Sequence, residues 1–390
     1  MKRVARFWKE KEMRRNSATI CNVVLFAAIT FLITAPSFKK EDAGKIRTLS
    51  GRELSTEGVD AYLKAQMDSL GIPGMSIAII NNGKIVYHRA LGVTNADTKE
   101  KVTDETLFDA GSMSKPLFAF LAMKMVEKGT LNLDQPMYTY LPYPDIAYDN
   151  RYKLITARMV LCHTSGFVNW RFMNKDNKLE LKFTPGTSFG YSGEGYEYLA
   201  NVVAHLNDIP KNGLQDLFEK EVAGPLGMQR AYYTWNDYVE KHRATGHVDG
   251  KVVVSPWGTS AKNPDFFAAF SLQTEGVSYA NFVIAMMKEE GMNKTLFDEM
   301  LKVQVKFPTV LLNPSASKTD SSTWCLGLEK RHSEFGDEYL HDSNNWNFTS
   351  AFMFNPEQKF GYVFLTNCNR GIELEKRLDL FLKAKCGPER

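Results

Sequence analysis

Phe108-Asp-Ala-Gly-Ser-Met-Ser-Lys-Pro-Leu-Phe118 is the stretch that decides how this chain reads. Ser112 and Lys115 stand three residues apart, and Pro116 follows at once. Apolar residues then recur at Leu117, Phe120, Leu121, Met123 and Val126, and Gly129 closes the run. The pattern predicts a loop feeding a helix, with Ser112 and Lys115 on one face of its first turn. Proline is tolerated there because a first-turn amide has no intrahelical partner to lose. A serine at a helix start with an amine one turn away is a candidate nucleophile, since the amine can take the hydroxyl proton and the free amides favour negative charge.

Spacing alone does not decide the matter, because a serine there also serves as an ordinary helix N-cap. Roughly one or two chance copies of Ser-x-x-Lys are expected in a chain this long. Two more are present, Ser37 with Lys40 and Ser315 with Lys318. The first follows an apolar leader, and the second lies in the polar stretch Asn313–Ser322. Only Ser112 is followed by an apolar helical pattern.

The 390 residues exceed what one core usually organises, so two lobes are expected. Of the net charge of +3, residues 1–16 contribute +5, leaving the rest at −2 and without a basic field for nucleic acid. Residues 17–38 carry no charge, and an apolar run extends from Ala18 to Ala35. Residues 1–38 therefore read as a signal peptide or an N-terminal membrane anchor, both readings open, with residues 39–390 exported. Cys21 lacks the small residue expected before a lipidated cysteine. Cys162, Cys325, Cys368 and Cys386 show no metal spacing and read as buried thiols, with Cys368–Cys386 the least implausible pair.

Along the chain, Thr56–Leu70 has the period of an amphipathic helix. Met75–Ile80, the turn Asn81-Asn-Gly83 and Lys84–Ala90 form a hairpin pattern. Helical periodicity returns around Tyr196–His205, Leu214–Val222 and Tyr279–Lys288. Strand patterns close the chain at Glu338–His341, Thr349–Phe354 and Phe360–Leu365, before a last helix over Ile372–Lys385. The expected fold is α+β, an α/β sandwich. Its antiparallel sheet is built from both chain ends (about 55–130 and 323–386), and a mostly helical lobe (about 131–312) is inserted between them.

Read beyond Ser112, the chain resembles the serine β-lactamase and penicillin-binding-protein family over about residues 55–385. The nearest branch is the class C β-lactamase-like one, which includes esterases and D-amino-acid peptidases. Phe108–Lys115 fits the first motif, and Leu131-Asn-Leu-Asp-Gln-Pro136 with Tyr140-Leu-Pro142 fits the segment after it. Ile155–Phe167, containing His163-Thr-Ser-Gly166, resembles a signature of the branch. Phe189-Gly-Tyr-Ser-Gly-Glu-Gly-Tyr196 fits the second motif, and Gly224-Pro-Leu-Gly-Met228 a landmark between motifs.

The resemblance implies an acyl-enzyme on Ser112, with Lys115 and Tyr191 managing the proton and Tyr191 as the phenolate-like base. It implies an oxyanion hole from the backbone amides of Ser112 and Asn344. His341-Asp-Ser-Asn344 stands as the third motif, in which His341 would orient the leaving part or bind a substrate carboxylate. Gly193, Ser343 and Trp346 are expected to face substrate, and Trp170 with Trp346 to line the pocket. Gly193 stands where an asparagine usually holds the substrate amide, Ser343 replaces a glycine, and Asn347 replaces a second glycine whose backbone conformation asparagine tolerates. His163 reads as structural. No metal motif is present and no cofactor is expected.

These residues imply an exported serine hydrolase for an ester or amide, with a D-amino-acid peptide or small ester ahead of a β-lactam. The partner is a small-molecule or peptide substrate, without nucleic acid. Membrane attachment would run through residues 18–35, and the oligomeric state is not legible. Two rivals stand beside this reading. An α/β-hydrolase elbow would use Ser192 in Gly190-Tyr-Ser-Gly-Glu194, and a degenerate binding or sensor protein would be acylated without turnover.

Overall fold

The computed structural model describes residues 45–253, 265–308 and 321–385. Helix α1 (Thr56–Leu70) starts where the Ser55 hydroxyl accepts the Gly58 amide and ends at Gly71, whose φ of 64° suits a residue without a side chain. Val59, Leu63 and Met67 form its buried stripe. Strands β1 (Gly74–Asn81) and β2 (Lys84–Gly92) follow as the expected hairpin. Asn82 and Gly83 both take positive φ, 52° and 67°, as a two-residue turn between twisted strands requires.

The remaining strands of the main sheet come from the other end of the chain: β3 (Val305–Pro308), β4 (Ser321–Trp324), β5 (Glu329–Ser333), β6 (Gly336–Asn344), β7 (Thr349–Asn355) and β8 (Phe360–Thr366). All eight pair antiparallel in the order β3-β4-β5-β6-β7-β8-β1-β2. The two chain ends meet where Phe364 faces Ile77 and Val363 faces Ala78. Side chains alternate between the faces of such a sheet. Ile77, Phe364 and Leu340 join α1 and the last helix, α5 (Gly371–Lys383), in one apolar core. Ala78, Val363 and Phe352 face the opposite core, which contains α2 (Ser114–Glu127), α3 (Gly193–Leu206) and α4 (Gly276–Lys288).

Helix α2 is buried on all sides: 11 of its 14 residues are inside, Lys115 among them. A helix with no wet face is a central element rather than a surface one. Its entry is pinned from several directions. Ser114 Oγ donates to the Gly111 carbonyl and accepts from the Leu272 amide, while the Tyr279 and Tyr233 hydroxyls donate to the carbonyls of Met113 and Ser114. Ser112 itself lies in a 3₁₀ turn, Gly111–Met113, just ahead of α2.

The structure extends the sheet beyond the expected boundary, since Val305–Pro308 lies within residues assigned to the helical lobe. Strands β3–β5 are outer strands with many charged or hydroxylic residues, so they lack the apolar alternation that marks a half-buried strand. Helices α3 and α4 each begin three residues earlier than their periodicity. Capping by Ser192 and Glu275, rather than apolar spacing, sets those starts. The Leu214–Val222 pattern becomes one α-turn continuing into a wider π turn. Cys162, Cys325 and Cys368 are buried thiols. The leader (residues 1–38), Cys21, Cys386 and the serine–lysine pairs at 37/40 and 315/318 lie outside the described residues. Among the described residues no helix is long and apolar enough to cross a membrane.

Candidate active site

Three elements bring the site together. The 3₁₀ turn presents Ser112, the first turn of α2 presents Lys115, and the segment leading into α3 presents Tyr191. Lys115 Nζ donates to Ser112 Oγ over 3.1 Å and to the Ala269 carbonyl over 2.8 Å. It also lies 4.7 Å from the centre of the Tyr191 ring. Only 1% of Lys115 is exposed. Burial pulls its ammonium down to about 7, and the more distant Glu197 and Asp342 carboxylates oppose that only in part. Glu197 reaches the amine indirectly: one oxygen accepts the Ala269 amide, and the other pairs with Lys211.

Tyr191 goes the other way. Burial raises its phenol above the usual value, and the Ser112 hydroxyl beside it draws it back only slightly. Burial in the free site thus favours the protonated phenol at Tyr191. Lys115 is the group whose value falls near neutrality. His163 grips the segment that holds Tyr191. Its carbonyl accepts from Gly190, its Nδ1 accepts from the Ser192 amide, and its ring lies 4.2 Å from that of Tyr191.

His341 enters from β6, with its ring 6.3 Å from Tyr191 and 5.6 Å from Trp324. Nδ1 bonds the Asp342 carbonyl at 2.7 Å, which places the proton on Nδ1 and leaves Nε2 as a buried acceptor with no protein partner. Burial first, then Lys115, drives its imidazolium down to about 3. The ring is neutral at physiological pH. A neutral acceptor there suits a hydrogen-bond donor better than a carboxylate.

The Ser112 amide is not open but donates to Ser343 Oγ at 2.8 Å. Ser343 is 3% exposed, and its hydroxyl fills the space a side chain on Gly111 would need: a Cβ there would sit 2.2 Å from Ser343 Oγ. Gly111 has φ of 48°, so this position excludes side chains on both counts. Asp109 orders the same corner, its Oδ1 accepting from the Gly111 amide and from Asn345 Nδ2. Past Asn344 the chain turns through Trp346, whose φ of 65° makes it, rather than Asn347, the left-handed residue. Asn347 is buried and donates to the Val253 carbonyl instead.

A cavity of about 1150 Å³ opens over Ser112, Lys115 and Tyr191. Asn169, Trp170, Phe172, Met173 and Phe270 line one side of it, and Ser343, Asn344, Asn345 and Trp346 another. It continues to Glu329, Arg331, Asp342 and Glu375. Strand register places Arg331, opposite Glu338, on the other face of the sheet from His341 and Ser343. Gly193 is not part of the lining, because Trp170 packs on it. Sequence reasoning missed Asn169 and Phe172, which flank Trp170 on one loop, and Phe270 and Trp324, which arrive from another loop and from β4, with no shared motif.

Ser192 has the contacts of a helix cap rather than those of an exposed nucleophile. It is 1% exposed, its hydroxyl donates to the Val168 carbonyl and accepts from the Gly195 amide, and so it caps α3.

Comparison with known proteins places the chain in a family and a fold. A family model described as Beta-lactamase matches residues 59–385. The chain is 24% identical over 339 residues to protein Flp of Staphylococcus aureus strain MW2, covering 81% of this chain and 64% of that protein. It thus spans somewhat under two thirds of the length of that relative. It is 32% identical over 211 residues to a beta-lactamase of Providencia stuartii, covering 51% of this chain and 53% of that one. Among solved structures, D-alanine carboxypeptidase AmpC from Burkholderia cenocepacia superposes with a TM-score of 0.68 at 22% identity, over 83% of this chain and 97% of that one. An octameric penicillin-binding protein homologue from Pyrococcus abyssi gives 0.67 at 21% identity, over 81% and 74%.

Proposed function

The chain belongs to the Beta-lactamase family of serine hydrolases, and from that premise we propose that it cleaves neutral carboxylic esters through an acyl-enzyme on Ser112. The observation that carries this reading is the Ser112–Lys115 contact, in which a buried amine near neutrality touches the hydroxyl it would deprotonate. Lys115 takes the Ser112 proton as Oγ attacks the ester carbonyl. The oxyanion settles against the amides of Ser112 and Asn344 once the Ser343 hydroxyl turns aside. Tyr191 gives its proton to the departing alkoxide and is reprotonated from Lys115. Water attacks the acyl-enzyme by the reverse route, which restores the serine.

Neutral His341 and the filled position at Gly193 support an ester ahead of a D-amino-acid peptide or β-lactam. Both of those carry a carboxylate, and among the described residues the aromatic wall of Trp170, Phe172 and Phe270 brings no cation to it. The site belongs to an exported domain in this reading, delivered across a membrane by residues 1–38. Hydrolysis of p-nitrophenyl butyrate by the wild-type protein and by Ser112→Ala is the test. Turnover that persists in Ser112→Ala overturns the assignment.

A second reading is favoured by the Ser343 plug alone: a protein that is acylated and then held. A burst of one equivalent of p-nitrophenol with no steady phase would identify it.

A further inference from the structure

The wall beside Tyr191 is built rather than incidental. A Cβ on Gly193 would lie 2.3 Å from the Trp170 ring, so the tryptophan occupies the space where any side chain at 193 would project. Trp170 is itself layered with Phe172 at 5.9 Å and 9°, and meets Phe270 edge-on at 5.4 Å. All three line the cavity, and Phe172 is 48% exposed.

The loop that presents Trp170 and Phe172 is clipped to the start of α3. The Gly193 amide donates to both the carbonyl and the side-chain oxygen of Asn169, and the Glu194 amide donates to the same carbonyl. Arg171 then binds Glu194 in fork fashion, Nε to one oxygen at 2.9 Å and Nη2 to the other at 2.8 Å, while its backbone amide donates to Glu194 as well. Glu194 is almost fully buried, and the Arg171 guanidinium also reaches the Tyr143 hydroxyl. Rings held this firmly have little freedom left to lose when they receive a ligand.

We propose that Trp170 and Phe172 form the acyl-chain subsite, selecting esters whose carbonyl carries an extended alkyl or aryl group, with Gly193 kept free of a side chain so that Trp170 can lie there. The inference rests on the ester reading above and adds the part of the substrate that the enzyme recognises. Flat apolar rings contribute contact area without hydrogen-bond demands, so they favour chain length over acylamino groups. Arg171 and Glu194 are positioning residues that act through Trp170.

The test compares p-nitrophenyl octanoate with p-nitrophenyl acetate as a ratio of kcat/KM. Trp170→Ala lowers that ratio about tenfold, the low end of what one methylene in an apolar pocket is worth. Trp170→Phe keeps it within about threefold, and Phe172→Ala, a change at a half-exposed ring, lowers it about threefold. A ratio unchanged in both alanine variants overturns the proposal, even where both esters slow equally, because a merely structural loss moves them together. The ester reading fails separately: p-nitrophenyl acetate turnover surviving in Ser112→Ala would sink it whatever the ratio does.

Discussion

Replacing Ser343 with glycine should make the protein a faster hydrolase. In the free site the Ser112 amide donates to Ser343 Oγ at 2.8 Å. The same amide is needed by the oxyanion, so the serine hydroxyl must turn away before or during attack. A hydrogen bond of this kind is worth about 0.5–1.5 kcal/mol net. At 1.36 kcal/mol per decade, removing the need to break it raises kcat/KM about two- to twelvefold. Glycine in a strand costs about 0.5–1 kcal/mol of stability, so the assay belongs well below the melting temperature. Steady-state hydrolysis of p-nitrophenyl butyrate by wild type, Ser343→Gly and Ser343→Ala gives the answer. A fall of roughly a hundredfold or more would refute the reasoning, because that is the loss expected when an oxyanion donor is removed. Ser343 would then be supplying its own proton to the oxyanion rather than covering the amide.

The Gly111–Ser343 contact predicts coupling. Gly111→Ala lowers kcat/KM at least about tenfold through the 2.2 Å approach to Ser343 Oγ, and Ser343→Gly recovers part of the loss in the double variant. With Lys115 held near 7, kcat/KM rises with pH through about 7 and then levels, since the neutral amine is the working form. A rate already flat from pH 5 upward contradicts that. The same group destabilises the fold. Its folded value lies below the ordinary lysine value of the unfolded chain, so the penalty is full below about 7 and fades as pH rises toward 10. Lys115→Met therefore raises the melting temperature more at pH 6 than at pH 10, by about a few degrees, as calorimetry would register. Ser192→Ala loses a helix cap worth about 1 kcal/mol but keeps ester turnover within about threefold, which an elbow nucleophile could not.

Much of this architecture was legible in local pattern. The Asn82-Gly83 turn and the helix stop at Gly71 follow from backbone freedom, which a sequence states directly. Ser112, Lys115 and Tyr191 line one cavity, with the His341 ring 6.3 Å from that of Tyr191, and each could be picked out because it sits in a short motif. What escaped depends on contacts between distant segments. The outer strand Glu329–Ser333 carries charges on both faces and pairs through its backbone, leaving no apolar rhythm to read. The state of the ionisable groups was hidden for the same reason. Lys115 and His341 take their values chiefly from burial, which segments distant in sequence create together. Gly193 read as a loss, and only the fold reveals the tryptophan that takes its place.

Labelling with a fluorophosphonate, followed by proteolysis and mass spectrometry of the modified peptide, tests the central claim most directly. The account predicts one equivalent of label on Ser112, with labelling that rises through pH 7 as Lys115 loses its proton. Label on Ser192, or on Ser112 at a rate indifferent to pH between 5 and 9, would contradict it.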